Sequence, residues 1–445
     1  MTTAPTSTKI GFYSIVLLGI NGIIGSGIFL LPGQVMALAH QETLLVYAFI
    51  TLLVLTIAWS FAKCASFYNQ NGGAYIYAKE AFGSFIGFEI GIMRWVVGII
   101  AWSTMTVAFV TALSTIWPFL LEEPIRSILI AAMITSLGII NMLGVNWMKP
   151  LNNIVTIAKL LPLIGFIGVG LFFLKIDAVV PNFAAFSLDS TTFGAAALLI
   201  FYAFSGFENL CVVAGEMENP KKNLPLATMV VVIACSLICI SIQAISMSFL
   251  QADLAQSVTP VADVANLLMG SSGKWFVLSA MLISIGGINI CASFVVPRSG
   301  EALANDGMLP NWIAKRSRFN TPVNAIILSV LFTIVVALFG SFTQLATISV
   351  IARFVQYTST CLAAIVLGQE ERKTQGIFQK TIGIGLPILG LIGIAWLISQ
   401  ATLSQLYWGF GALLLGVPLY YIQNLQKGVV STPASTEDLI EQPET

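Results

Sequence analysis

Apolar stretches long enough to cross a lipid bilayer recur along the whole chain, and no other feature narrows its possible folds as much. Each is long enough to span roughly 30 Å of hydrocarbon at about 1.5 Å per residue. The stretches are continuous, unlike the alternating segments of about ten residues in an outer-membrane barrel, so they read as helices. Charge points the same way. Charged residues make up 9% of the 445, against about 25% in a soluble domain. A chain so poor in charge cannot clothe a water-facing surface, and the expectation is an all-α membrane protein.

Hydropathy predicts twelve spans, at 10–33, 39–65, 82–117, 124–146, 148–175, 191–215, 224–250, 273–305, 322–340, 342–367, 381–400 and 402–424. Several exceed the minimum length, which implies tilt or extension beyond the bilayer. The polar opening segment 1–9 is not followed by a small-residue cleavage site, so the first apolar stretch reads as a transmembrane helix rather than a removable signal. Lys and Arg in the loops set the orientation. With the N-terminus inside, 14 of the 20 fall on the cytoplasmic side. Arg126, Lys175 and Lys274 fall outside, while Arg94, Lys159 and Arg353 lie within spans. This predicts a multi-pass inner-membrane protein with both termini cytoplasmic. The polar, acidic segment 425–445 is expected to be a disordered cytoplasmic tail.

The same inventory excludes several functions. The six cysteines sit mostly in or at the ends of apolar spans without metal-type pairing, and His40 is the single histidine. No metal site, cofactor or nucleic-acid partner is expected, and no nucleotide-binding loop is present to hydrolyse ATP. A membrane enzyme would want clustered ligands that the chain lacks. A channel would want rings of polar residues along a pore, and only scattered polar positions occur.

The first span reads GINGIIGSGIFLLPG from Gly19 to Gly33, with five glycines and a proline. That is too many for an uninterrupted helix. A break at Gly25-Ser26-Gly27 would free backbone groups, which in a membrane must line a protected cavity or meet a ligand. Close helix packing through small residues is the other reading. The sixth span repeats the pattern, with Ser205-Gly206 mid-span and Glu208 directly after. Interrupted spans at corresponding places in two five-helix halves, 10–175 and 191–367, are the signature of an inverted-repeat carrier.

The stretches GINGIIGSGIF, FSGFENLCVVAGEMENPKKNLPLA and PRSGEALANDGMLP resemble the first, sixth and eighth helices of amino acid–polyamine–organocation transporters, and NGGAYIYAKEAFG resembles that family's cytoplasmic loop. The resemblance implies a LeuT-type fold: inverted repeats of helices 1–5 and 6–10, with peripheral helices 11 and 12 over 381–424. It implies that Ile23, Gly25, Ser26 and Gly27 offer N–H groups to an amino acid's carboxylate, as a half-helix N-terminus can. Phe204, Ser205 and Gly206 would offer carbonyls to its ammonium. Tyr202, Phe207 and Ala292 are candidates for side-chain selection, with helix packing as the alternative for the aromatic pair.

Lys159 lies about 16 Å along its helix from the cytoplasmic end, too deep for easy snorkelling. A charge there costs at least about 2.5–3.5 kcal/mol and needs a partner. The resemblance implies an ammonium standing where sodium-coupled relatives hold an ion, bridging helices 1 and 8. Sodium-independent transport follows, with proton coupling left open. Glu208 is a coupling carboxylate or a cap on the half-helix. Glu89 and Arg94 are five residues apart and poorly phased for pairing. Arg353, on one face with Gln356 and Tyr357, is expected to reach them in a structural polar cluster.

The function expected is amino acid exchange or proton-linked uptake by alternating access, with small neutral amino acids favoured. The runner-up is a cationic amino acid or polyamine exchanger. It is weakened because Ala292 and Tyr202 stand where the family's arginine-type members carry tryptophans. A channel or receptor is the remote alternative. A homodimer in the lipid bilayer is among the assemblies the resemblance allows.

Overall fold

The computed structural model describes residues 11–68, 72–144, 148–179 and 189–430. Among them regular structure is helical, apart from one isolated bridge between Arg316 and Pro322. In chain order the α-helices are α1 (Phe12–Ile23), α2 (Gly27–Ala39), α3 (Thr43–Phe67), α4 (Ala74–Phe82) and α5 (Ser84–Ser114). There follow α6 (Ile125–Met142), α7 (Met148–Phe172), α8 (Ser190–Phe204), α9 (Pro220–Leu250) and α10 (Pro260–Asn305). The last five are α11 (Val323–Phe339), α12 (Phe342–Leu367), α13 (Gln369–Thr374), α14 (Ile377–Ser399) and α15 (Leu403–Val430). Eight helical stretches of the described residues are long and apolar enough to cross a membrane, and the shorter α1, α8 and α11 are also apolar.

Burial sorts these helices into interior and periphery. The apolar windows of α5 and α12 are 61% and 67% buried, whereas those of α6 and α14 are 22% and 28% buried. The outer helices show Ile128, Ile139, Leu389 and Ile392 outward. On a membrane protein such faces meet acyl chains, so their exposure carries no hydrophobic penalty. Between them, α10 and α12 pack on α5, α8 packs on α12 and α2, and α1 packs on α9 and α7, with Trp102, Phe201, Phe354 and Tyr357 among the fully buried side chains.

Four places differ from the hydropathy reading. The first span is two helices with Ile24, Gly25 and Ser26 between them, within one residue of the expected break, and it runs on to Ala39 rather than ending at Gly33. The loop before the third span holds a separate helix, α4, which packs on α5. Within α10 the backbone is non-helical at Gly270 (φ 68°, ψ −165°), so a short helical segment from Pro260 precedes the eighth span, which begins just after Gly270, close to the expected 273. The last helix runs through Val430, past the expected start of the tail. Segment 1–9 and residues 431–445 lie outside the described residues.

Candidate functional site

The first break is held by a side chain from far along the chain. Ile24 leaves the helix with φ −72° and ψ 93°. Lys159 of α7, fully buried, donates from Nζ to the carbonyl of Asn21 at 2.9 Å and to that of Ile24 at 2.5 Å. These carbonyls close the C-terminal end of α1, where the helix dipole is negative and a cation is favoured. Ser284 of α10 donates to the same Ile24 oxygen at 3.3 Å. The expected bridge to the eighth span therefore runs through a shared carbonyl, while the ammonium's own bonds go to α1. Beyond the break, Phe29 and Leu30 are the first N–H groups of α2 to bond back, both to Ser26 O, at 3.2 and 3.0 Å. The N–H groups of Gly25 to Ile28 have no carbonyl partner among the described residues.

The second break is held from nearby. Ser205 is extended (φ −68°, ψ 143°) and Gly206 takes φ 122°, a conformation glycine adopts without penalty. The chain then runs as a 3-10 helix, Phe207–Glu216, so the sixth span is interrupted at Ser205-Gly206, where a break was expected. Glu208 Oε2 accepts from the Gly206 N–H at 2.8 Å and from the Tyr357 hydroxyl at 3.0 Å. Its Oε1 accepts from Arg353 Nε at 3.0 Å, a buried ion pair linking the break to α12. Arg353 also donates to the Ser349 carbonyl at 3.0 Å. The expectation that Arg353 reaches the charges of the third span is corrected: its carboxylate partner is Glu208.

The two breaks meet backbone to backbone. A Cβ on Gly206 would collide with the carbonyl oxygen of Gly22, and one on Gly22 would lie 3.3 Å from the carbonyl oxygen of Gly206. Above this crossing, Ser26 Oγ and the Tyr202 hydroxyl share a hydrogen bond of 3.0 Å, tying α8 to the first break. A Cβ on Gly27 would sit 3.0 Å from Ala203 Cα, so α2 and α8 are in close contact there.

Beside the crossing lies a cavity of about 250 Å³. Of the residues singled out from sequence, Ile23, Gly25, Gly27, Tyr202, Ser205, Gly206, Ala292 and Glu208 line it. Ser26, Phe204, Phe207 and Lys159 are buried behind it. Phe207 stacks on Tyr357 with ring centroids 5.6 Å apart and meets Phe61 edge-on at 5.5 Å. It thereby orients the tyrosine that donates to Glu208, which is the packing alternative for this aromatic. Arg94, Arg353, Asn21 and Cys291 also line the cavity. Arg94 had been grouped with Glu89, yet the two face different ways. Glu89 is buried against Gly416 of α15, with no hydrogen-bond partner for either carboxylate oxygen among the described residues. The poor phasing of the pair was the available signal; Asn21 and Cys291 gave none.

A multi-pass helical bundle with an interior cavity at two helix breaks is an architecture of membrane carriers as a class. A family model described as amino acid permease matches residues 10–419, and the chain belongs to that family. It is 31% identical over 389 residues to an uncharacterized transporter of Mycobacterium tuberculosis, covering 82% of this chain and 81% of that protein. An uncharacterized transporter of Mycobacterium bovis is similar to the same extent. The serine/threonine exchanger SteT of Bacillus subtilis is 27% identical over 427 residues, 93% of this chain and 96% of that protein. The family and these relatives are transporters rather than enzymes.

Proposed function

We propose that the chain is a sodium-independent secondary transporter that exchanges small neutral amino acids across the inner membrane by alternating access. The reading has twelve spans and cytoplasmic termini. The spans through α7 and those from α8 to α12 form LeuT-type inverted repeats, with α14 and α15 peripheral. The free N–H groups at the start of α2 take the substrate carboxylate, helped by the positive end of that half-helix. The carbonyls at the end of α8, from Phe204 to Gly206, take the ammonium. Lys159 supplies a fixed cation at the end of α1, so no sodium is needed there.

The observation that carries the proposal is the meeting of Gly22 and Gly206 beside a cavity, with unpaired N–H groups at one break. Support for a neutral substrate comes from Arg94 on the lining, whose charge disfavours a cationic side chain in the cavity, and from the printed activity of the Bacillus relative. Counterflow in proteoliposomes tests it. Vesicles loaded with unlabelled amino acids should accumulate labelled serine or alanine, and replacing sodium by choline should change nothing. Accumulation of arginine or putrescine alone would overturn the substrate class. A strict sodium requirement would overturn the role of Lys159.

A further inference from the structure

The cavity is longer than the clamp just described. Along α5 it is lined by Arg94, Val97, Gly98, Ala101 and Met105, a stripe at helical spacing. The Met105 methyl lies 3.0 Å from the position of a Cβ on Gly25, so Met105 stands level with the first break. Eleven residues separate it from Arg94, or about 16 Å along the axis. An arginine on a helix leans toward the N-terminal end, so this guanidinium points farther from the break, not nearer. No side chain of a common amino acid held at the first break spans that gap. Ser299 of α10, which is half-buried, lines the cavity too, so the space extends from the breaks toward the end of α10 at Asn305.

Charge on the lining is unbalanced. The charged groups there are Arg94, Arg353 and Glu208. Glu208 and Arg353 neutralise one another at 3.0 Å. That leaves Arg94, which makes no hydrogen bond or ion pair among the described residues. A guanidinium with its N–H groups unpaired beside a low-dielectric cavity attracts a carboxylate and offers it a two-pronged hydrogen bond. Glu208 is near enough to act on Arg94 electrostatically. Its carboxylate has about four acceptor sites, and three are taken by Gly206, Tyr357 and Arg353.

We propose that Arg94 is a second carboxylate-binding station, in a vestibule beside the breaks, through which an amino acid passes with its ammonium turned toward Glu208. The station rests on the amino acid reading for the identity of its ligand, but its preference for anions does not. Arg94 is thus a specificity residue for arrival and departure, separate from the clamp at the breaks.

Cys291 lines the same cavity and allows a test that needs no transported substrate. The full-length protein is treated with an anionic sulfonatoethyl or a cationic trimethylammonioethyl methanethiosulfonate, and modification of Cys291 is read by peptide mass spectrometry. With each rate taken relative to that on a free small thiol, wild type should favour the anionic reagent about tenfold, through local focusing of charge. Arg94→Gln should lower that preference to the part owed to Lys159, which also acts on Cys291, and Arg94→Lys should retain it. A preference unchanged in Arg94→Gln overturns the station. Should Arg94→Gln not fold, the wild-type ratio decides, since equal rates or a cationic preference also overturn it. In counterflow, Arg94→Gln should raise the half-saturating serine concentration about tenfold from the vestibule side only, the worth of a charge-assisted hydrogen bond. An equal effect from both sides assigns Arg94 to the clamp and overturns a separate station. That fall in the thiol preference in a protein that moves no amino acid would support the anion station while refuting the transport reading.

Discussion

At the first break the cap comes from another helix, with Lys159 reaching Asn21 and Ile24 across 138 and 135 residues of sequence. At the second it comes from the chain just beyond, where Glu208 folds back on the N–H of Gly206. The signs differ for a physical reason. A helix that ends exposes carbonyls and favours a cation; one that begins exposes N–H groups and favours an anion. The anchoring differs too. Glu208 is bound to Arg353 and Tyr357 of α12, whereas Lys159 donates only to uncharged backbone carbonyls. The second break is thus clamped by an ion pair, and the first by a single long side chain.

The comparison breaks most severely at Glu208. Glu208→Ala strands a buried guanidinium, and removing one partner of such a pair costs about 3–5 kcal/mol. The detergent-solubilised variant should melt well below wild type, and adding Arg353→Met should recover part of the loss. Unchanged melting in Glu208→Ala would mean that the ion pair does not hold the break.

Next in size is Gly206→Ala, which places a Cβ at φ 122° against the Gly22 carbonyl. A left-handed conformation costs a non-glycine residue roughly 1–2 kcal/mol, and the clash adds to this, so exchange should fall at least about tenfold. Gly22→Ala, with 3.3 Å to the facing oxygen, should lose less. Equal losses would show that the crossing, and not the dihedral angle, sets the requirement.

Lys159→Ala removes the donor from the carbonyls of Asn21 and Ile24. Ile24 keeps Ser284 at 3.3 Å, so the break is loosened rather than lost. Turnover should fall by about tenfold, in line with one unsatisfied buried acceptor at roughly 1–3 kcal/mol, while the amount of protein in the membrane stays near wild type. Normal turnover would reduce Lys159 to a packing residue.

The smallest effect belongs to Tyr202→Phe. It deletes the bond to Ser26 and keeps the ring, which meets Phe342 edge-on with centroids 5.9 Å apart. One neutral hydrogen bond is worth about 0.5–1.5 kcal/mol, so apparent affinity in counterflow should weaken a few-fold. A larger change would mean that the hydroxyl touches the substrate directly.

Much of this molecule is legible along the chain. Length and continuity of apolar stretches decide that it is helical and membrane-embedded, because lipid leaves no other way to satisfy the backbone. Glycine at positions 22, 27 and 206 marks the two breaks, because another segment's backbone comes close to a Cβ there, while Gly25 faces the side chains of Ile288 and Met105. Glu208 is readable as a cap because its partner N–H is two residues away. Partnership between distant helices is a different matter. That Arg353 meets Glu208 rather than Glu89, that Phe207 supports Tyr357, and that Arg94 faces a cavity while Glu89 faces α15 all depend on how the helices rotate about their axes when packed. Hydropathy scarcely specifies that rotation in membrane spans that are apolar nearly all round. The close fit of side chains in the assembled bundle decides it.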